Sequence, residues 1–311
     1  MIPNKLNPGD EIRVVTPSKS LQRVQQKIFN NALKHLTNEG FKVTFSKNSG
    51  EIDFFNSSSI QSRIEDLHDA FSDNNVKAIL TALGGFNANQ LLEYIDYSLI
   101  KEYPKILCGY SDITALLNAI YSQTGLVTYH GTHFSSFGFE EELDYTLDYF
   151  RKCLMEPVGF SMEPSTQAQN YEIIQSGVCE GTIVGGNLCT INLLQGTRYL
   201  PVVSDTVLFI EDDNIMGDYF IFEFDRNLES LIQSIGHSKI KGIVFGRFEE
   251  SCKLTSEVIR KIVAYKRQLA NIPVLFNVDF GHVQPFATFP IGGKVSIDAS
   301  NTSPGIHILE H

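Results

Sequence analysis

Ser111 stands where a short apolar stretch, Lys105-Ile106-Leu107-Cys108, meets Gly109 ahead of a second apolar run from Ala115 to Tyr121. That spacing predicts a buried strand, a tight turn and a helix, with the serine at the elbow. The unpaired N–H groups of a helix's first turn point at whatever sits above such a residue. This suits a nucleophile whose attack creates an oxyanion. Serine also favours that place simply as a helix cap. The Gly-x-Ser here lacks the second glycine of the full elbow motif. A serine hydroxyl needs an imidazole to accept its proton, and the imidazole needs a carboxylate to fix its tautomer. Two other strand ends offer them. Glu211 follows the apolar run Thr206 to Ile210, and His282 follows Pro273 to Val278 through Asp279-Phe280-Gly281. Asp212, Asp213 and Glu223 compete with Glu211. With 36 acidic residues and eight histidines, the chain offers many accidental sets of this kind.

The elements that must position these groups alternate. Glu11 to Thr16 reads as a β-branched strand, Leu21 to Asn38 as an amphipathic helix ended by Gly40, and Phe41 to Phe45 as a strand. Ser59 to Phe71 is a second helix, and Val76 to Leu83 a third strand, apolar enough to be covered on both faces. Strand–helix alternation at this spacing implies right-handed crossovers and an open parallel sheet, whose sites lie at the carboxyl ends of strands. The third strand ends in Gly84-Gly85-Phe86-Asn87-Ala88-Asn89, before a helix near Asn89. Glycines there let backbone N–H groups approach a substrate oxygen closely, though an ordinary glycine turn has the same sequence.

Leu126 to Tyr129 reads as a strand, and Thr128 to Gly138 as a polar loop bearing His130 and His133. Those histidines are candidate bases or ligands, but their spacing makes poor metal evidence. Glu140 to Leu154 is helical. From Glu156 to Ser176 the pattern loosens, with Pro157, Pro164, Ser165, Gln167, Gln169 and Asn170. This marks a domain boundary, with an N-terminal domain over 1–160 and a C-terminal one over 161–311. Beyond it come strands at Val178–Thr182, Thr206–Ile210, Ile240–Phe245, Pro273–Val278 and a final one at Lys294–Asp298. Helices are expected over Leu188–Leu194, Phe220–Ile235 and Thr255–Leu269.

Composition narrows the function classes. The 311 residues are 42% hydrophobic and 20% charged, as in ordinary globular proteins, and suffice for two domains. A net charge of −11 without a basic cluster argues against nucleic acid or an anionic membrane as partner. There is no apolar signal core in Met1 to Asp10, which predicts a cytoplasmic location. The five cysteines, Cys108, Cys153, Cys179, Cys189 and Cys252, lack CxxC spacing and read as reduced thiols. Leu309-Glu310-His311 is given no structural weight, because such an ending is also what an expression tag leaves.

Five blocks carry a resemblance. They are Gly84-Gly85 with Asn87 and Asn89, GYSDITALLNAIYSQTGLVTYHG from Gly109, GGNLCTINLLQGT from Gly185, LFIED from Leu208, and GHVQPFATFPIGG from Gly281. In this order they resemble the serine peptidase family that contains the LD-carboxypeptidases and the MccF-type microcin C immunity proteins. The resemblance implies Ser111 as nucleophile, Glu211 as the group orienting the histidine, and His282 as general base and acid. It implies an oxyanion hole from the backbone N–H groups of Gly85 and Asp112. It implies an N-terminal flavodoxin-like or amidotransferase-like α/β domain, a C-terminal mixed domain with a swivelling β-barrel, homodimers, and neither metal nor organic cofactor. Asn187 and Arg247 are candidate substrate contacts, Arg247 as a clamp on a free carboxylate or as half of a surface ion pair.

Ala82-Leu83-Gly84-Gly85-Phe86 lacks the arginine and the Gly-Tyr-Gly of the LD-carboxypeptidases, and so looks nearer the MccF-type branch. That branch hydrolyses a bond joining a peptide or amino acid to a modified nucleotide. Its members tend to stack tryptophan on the base, and this chain has none; Tyr171 or another aromatic is the candidate replacement. The alternatives are removal of D-alanine from a cytoplasmic muropeptide, a non-catalytic protein binding a small ligand, and a regulatory amidotransferase-like module, which the lack of cysteine at 111 disfavours.

Overall fold

The computed structural model describes residues 1–311 except Gln167, Ala168 and Thr302. The Gln167 of the expected linker therefore lies outside the described residues. Five strands, β1 (Glu11–Val15), β2 (Lys42–Phe45), β3 (Val76–Thr81), β4 (Ile106–Gly109) and β5 (Thr128–His130), pair in parallel in the order β2-β1-β3-β4-β5. This is the flavodoxin-like order, whose switch point lies between β1 and β3. The helices are α1 (Gln26–Asn38), α2 (Ile60–Ser72), α3 (Tyr97–Glu102), α4 (Thr114–Thr124) and α5 (Leu143–Leu154). Successive strand residues face opposite ways, so Val14 packs with Ala32 and Phe150 of α1 and α5. Val15 packs instead with Leu67 and Leu116 of α2 and α4.

The second half comprises β6 (Phe160–Ser161), β7 (Glu172–Gln175), β8 (Val178–Asn187), α6 (Leu188–Asn192), β9 (Thr206–Glu211), α7 (Phe220–Ile235) and β10 (Ile240–Arg247). It continues with α8 (Ser256–Tyr265), β11 (Val274–Gly281), β12 (Phe289–Ile291), β13 (Lys294–Asp298) and β14 (Gly305–Glu310). The second sheet runs β6-β14-β13-β8-β9-β10-β11-β7, parallel from β8 to β11 and antiparallel towards both ends. The barrel closure implied by the resemblance has no β6–β7 pairing among the described residues. β12 leaves this half and joins the first sheet antiparallel to β5, opposite His130.

Several expectations give way. The helix expected from Leu21 begins as a 3₁₀ turn, Leu21–Arg23, and restarts at Gln26. The one near Asn89 is a 3₁₀ turn, Ala88–Leu91, and the true helix α3 is started by Asp96, which accepts from the N–H groups of Ser98 and Leu99. The loose stretch around 160–175 holds two edge strands, too short and too mixed to show a periodic signal. Lys294–Asp298 is not the last strand, because β14 pairs with it. His311 is buried, and its ring bonds the carbonyls of Cys153 (2.8 Å) and Val158 (3.0 Å); the last residues belong to the fold.

One apolar cluster runs from α2 through α4 to Ile183, Val184 and Leu188, and on to Phe209 and Ile210. Helix α4 is sandwiched there, buried at every position from Thr114 to Ile120. The large polar residue of that buried stretch, Asn118, donates to the Gly185 carbonyl at 2.8 Å and ties α4 to β8. Gly185-Gly186, beyond the strand expected over Val178–Thr182, lie inside β8 with φ of +145° and +111°. A Cβ on Gly186 would come within 2.6 Å of Thr114 Oγ1 and 2.8 Å of the His130 ring. Gly186→Ala is expected to cost about 1–3 kcal/mol from the left-handed backbone alone, read as a lower midpoint in urea unfolding.

Candidate active site

Three carboxyl ends of strands converge. Ser111 follows β4 in a 3₁₀ turn, Ser111–Ile113, that runs on into α4. It has φ +58°, a left-handed value rare for a residue with a side chain. Glu211 is the last residue of β9, and His282 directly follows β11. Glu211 is fully buried; the His282 side chain is 17% exposed. Their pairing is short: His282 Nδ1 lies 2.6 Å from Glu211 Oε2. A carboxylate only accepts, so Nδ1 donates. On the other side of the ring, Nε2 lies 3.0 Å from Ser111 Oγ. The serine, histidine and carboxylate singled out by sequence are thus one hydrogen-bonded chain.

The charges reinforce one another. Burial alone would push Glu211 up, but His282 and His130 outweigh it and hold the carboxyl down to about 2. Burial alone would push His282 down, yet the Glu211 charge, helped by Asp213 and Asp212, lifts it to about 9. Asp212, among Glu211's rivals, is buried beside two acids and is driven well up instead.

The glycine pair closes over the serine. A Cβ on Gly84 would lie 2.9 Å from Ser111 Oγ, and one on Gly85 would lie 2.1 Å from Ser18 Oγ. Only glycine fits at either place without the neighbours moving. The loop is held from below by Asp112. Its Oδ2 accepts from Ser18 Oγ (2.6 Å) and from the N–H groups of Asn87 and Ala88 (both 2.9 Å). Arg63 of α2 adds bonds to the carbonyls of Pro17 and Asn87. The residue after the nucleophile therefore carries the glycine loop on its side chain. In the sequence, only its backbone N–H stands out as a candidate.

Family models match this chain as the LD-carboxypeptidase N-terminal domain over residues 12–131 and the LD-carboxypeptidase C-terminal domain over 180–297. The YocD protein of Bacillus subtilis is 46% identical over 328 residues, covering 100% of both chains. The crystal structure of an MccF-like protein from Bacillus anthracis has a TM-score of 0.97 and 50% identity, again over 100% of both chains. The microcin C7 self-immunity protein MccF of Escherichia coli is 30% identical, over 96% of this chain and 93% of that one. A structure of MccF in complex with aspartyl sulfamoyl adenosine has a TM-score of 0.88 at 29% identity, covering 100% of this chain and 99% of that chain.

The chain belongs to the LD-carboxypeptidase family. It is a serine carboxypeptidase, a hydrolase of mixed α/β fold. Among the described residues of this carboxypeptidase, no helix is long and apolar enough to cross a membrane. None of them form a group of three or more His, Cys, Asp or Glu placed to hold a metal ion.

The two expected substrate contacts differ. Asn187 is paired in register with Glu211, but its amide is committed. Oδ1 caps α6 by accepting from Thr190 N (3.0 Å), and Nδ2 donates to Asp213 (3.0 Å). Arg247, the last residue of β10, is paired with buried Asp279 and bonds the Gln169 carbonyl. It is a buried ion pair and not a surface one. It lines a cavity of about 440 Å³ that also includes Glu142, Asn277, Val283 and Gln284. Tyr171 is unsuited to stacking on a base: it is 6% exposed and packed in the core, its hydroxyl 3.4 Å from Asp279.

The Glu211–His282 pair sets a pH window for stability. The raised His282 stabilises fully below its ordinary 6.5, and this is lost as pH climbs through about 9. The lowered Glu211 stabilises fully above its ordinary 4.5, and this is lost as pH falls through about 2. Thermal unfolding of wild type and Glu211→Gln is expected to differ most between these limits and to converge on the alkaline side above about pH 9.

Proposed function

We propose that this carboxypeptidase works through a Ser111–His282–Glu211 triad and cleaves the amide bond joining a peptide or amino acid to a modified nucleotide. The observation that carries the triad is the continuous bonding from Ser111 Oγ through His282 to Glu211 Oε2, at 3.0 and 2.6 Å. Ser111 Oγ attacks the scissile carbonyl while its proton passes to His282 Nε2. The oxyanion is held by the backbone N–H groups of Gly85 and Asp112, which flank the serine. His282 gives its proton to the leaving nitrogen, and an acyl-serine remains. Water then attacks that ester, with His282 again taking and returning the proton, and frees the acid and Ser111. The neutral imidazole is the base, so the competent fraction grows as pH rises towards about 9.

The nucleotide-linked substrate is supported by the likeness to MccF, solved with aspartyl sulfamoyl adenosine. The Gly84-Gly85-Phe86 sequence, unlike the pattern expected of LD-carboxypeptidases, points the same way. Of the two candidate substrate contacts, Arg247 is the one that faces a cavity; Asn187 serves by fixing the start of α6. The reading includes a homodimer, as the resemblance implies, and a cytoplasmic location. The matched family's own description favours a second reading, release of D-alanine from a muropeptide.

A paired assay separates them. Purified protein is given an aminoacyl sulfamoyl adenosine and a muramyl tetrapeptide ending in D-Ala, and products are read by mass spectrometry. Release of the amino acid from the nucleoside is expected, with Ser111→Ala lowering it by at least about 10³-fold. D-Ala release alone would move the assignment to the second reading. A folded Ser111→Ala variant with undiminished turnover would overturn the serine mechanism.

A further inference from the structure

The Glu211 carboxylate has two oxygens, and the relay to the serine uses one. Oε1 is buried and has no hydrogen-bond partner among the described residues. The group facing it is His130 Nε2, at 3.7 Å. His130 is itself fully buried, and neither of its ring nitrogens has a hydrogen-bond partner among the described residues. Two orphaned polar atoms, a carboxylate oxygen and an imidazole nitrogen, thus stand opposite each other in the core. An unpaired buried polar group is costly, so each is the other's natural partner.

The surroundings hold the ring for that purpose. His130 ends β5, the strand beside β4 and the nucleophile. Its ring stacks on Phe289 (centroids 4.6 Å apart) and lies parallel to Phe286 (5.9 Å). The absence of a side chain at Gly186 leaves it room. The aromatic slot fixes the ring's plane and leaves the edge bearing Nε2 towards Glu211. The gap lies just outside hydrogen-bond range, and such contacts tighten as a catalytic complex forms.

We propose that His130 is a positioning residue for the relay, donating from Nε2 to Glu211 Oε1 and so orienting the carboxylate and setting how basic His282 is. This rests on the triad reading above. The neutral ring has one N–H, and the facing carboxylate favours placing it on Nε2. A donor there draws charge away from Oε2, the oxygen that meets His282. Removing it leaves more charge on Oε2, and His282 becomes harder to deprotonate. The groups that set His282 from the packed elements are Glu211, Asp212 and Asp213 on and after β9, with His133 beyond β5. The Tyr110 ring lies 5.2 Å from His282. Burial lowers His130 against the pull of Glu211, consistent with a neutral donor.

The test reads His282 directly. Histidines are isotope-labelled and their titration followed by NMR in wild type, His130→Phe and His130→Gln. Phe fills the aromatic slot without a donor; the Gln amide reaches the place of Nε2. Expected is a rise of the His282 midpoint by about one unit in His130→Phe, with about tenfold lower kcat/KM at neutral pH, KM nearly unchanged, and recovery in His130→Gln. Should His130→Phe not fold, His130→Asn replaces it, since its amide mimics Nδ1 and leaves Oε1 unserved. An unmoved His282 midpoint in these variants overturns the inference. The midpoint is measured without turnover, so an active Ser111→Ala variant would sink the triad reading while leaving this result to stand or fall separately.

Discussion

The buried pair of Glu211 and His282 is the interaction on which the remaining architecture depends. It joins the end of β9 to the residue after β11, and through His282 Nε2 it reaches across to Ser111 at the end of β4. The pair stands at the meeting of two sheets. Neither sheet contains the whole chemistry. Removing one member of a buried ion pair strands the other, at a cost of about 3–5 kcal/mol. The surroundings therefore have to bring both partners in together. Parallel strands β8, β9 and β10 do this for Glu211, and the helix α4 sandwiched between the sheets does it for Ser111.

Close approach is the second constraint. Where the chain passes the reacting groups, side chains are missing because there is no space for them. Gly84 and Gly85 lie over Ser111 and Ser18, and Gly186 lies against Thr114 and His130. The left-handed backbone of Ser111 belongs to the same pattern. Such a conformation persists only where its surroundings over-determine it, and here the braces are Asp112, Arg63 and the buried start of α4. The glycine loop is thus positioned by a carboxyl side chain whose hydrogen bonds among the described residues run to that loop and to Ser18.

Much of this was legible in the sequence because its signals are local. The alternation of strands and helices through residue 154, the elbow at Ser111 and the strand-end placement of Glu211 and His282 follow from periodicity and turn chemistry. What escaped reading is what distant parts supply. β6 and β7 are edge strands, and β14 lies between β6 and β13; all three are defined by their partners. β12 reads as part of a turn, yet it completes the first sheet. The strand expected to end at Thr182 runs on through Gly185-Gly186 to Asn187, and the residues that demand those glycines, Phe209, Thr114 and His130, are remote in sequence. Asn187 and Arg247, expected as substrate contacts, are the last residues of β8 and β10. Their partners, Thr190, Asp213 and Asp279, show that much of their hydrogen bonding is spent inside the protein.

The central claim is that Ser111 and His282 act as one unit on one proton. A double-mutant cycle measures this directly: kcat/KM for wild type, Ser111→Ala, His282→Ala and the double variant, with folding checked for each. The account predicts that the double variant is no slower than either single one, because the first substitution already disables the shared step. Losses that multiply would contradict it, and would mean that serine and histidine contribute to separate events.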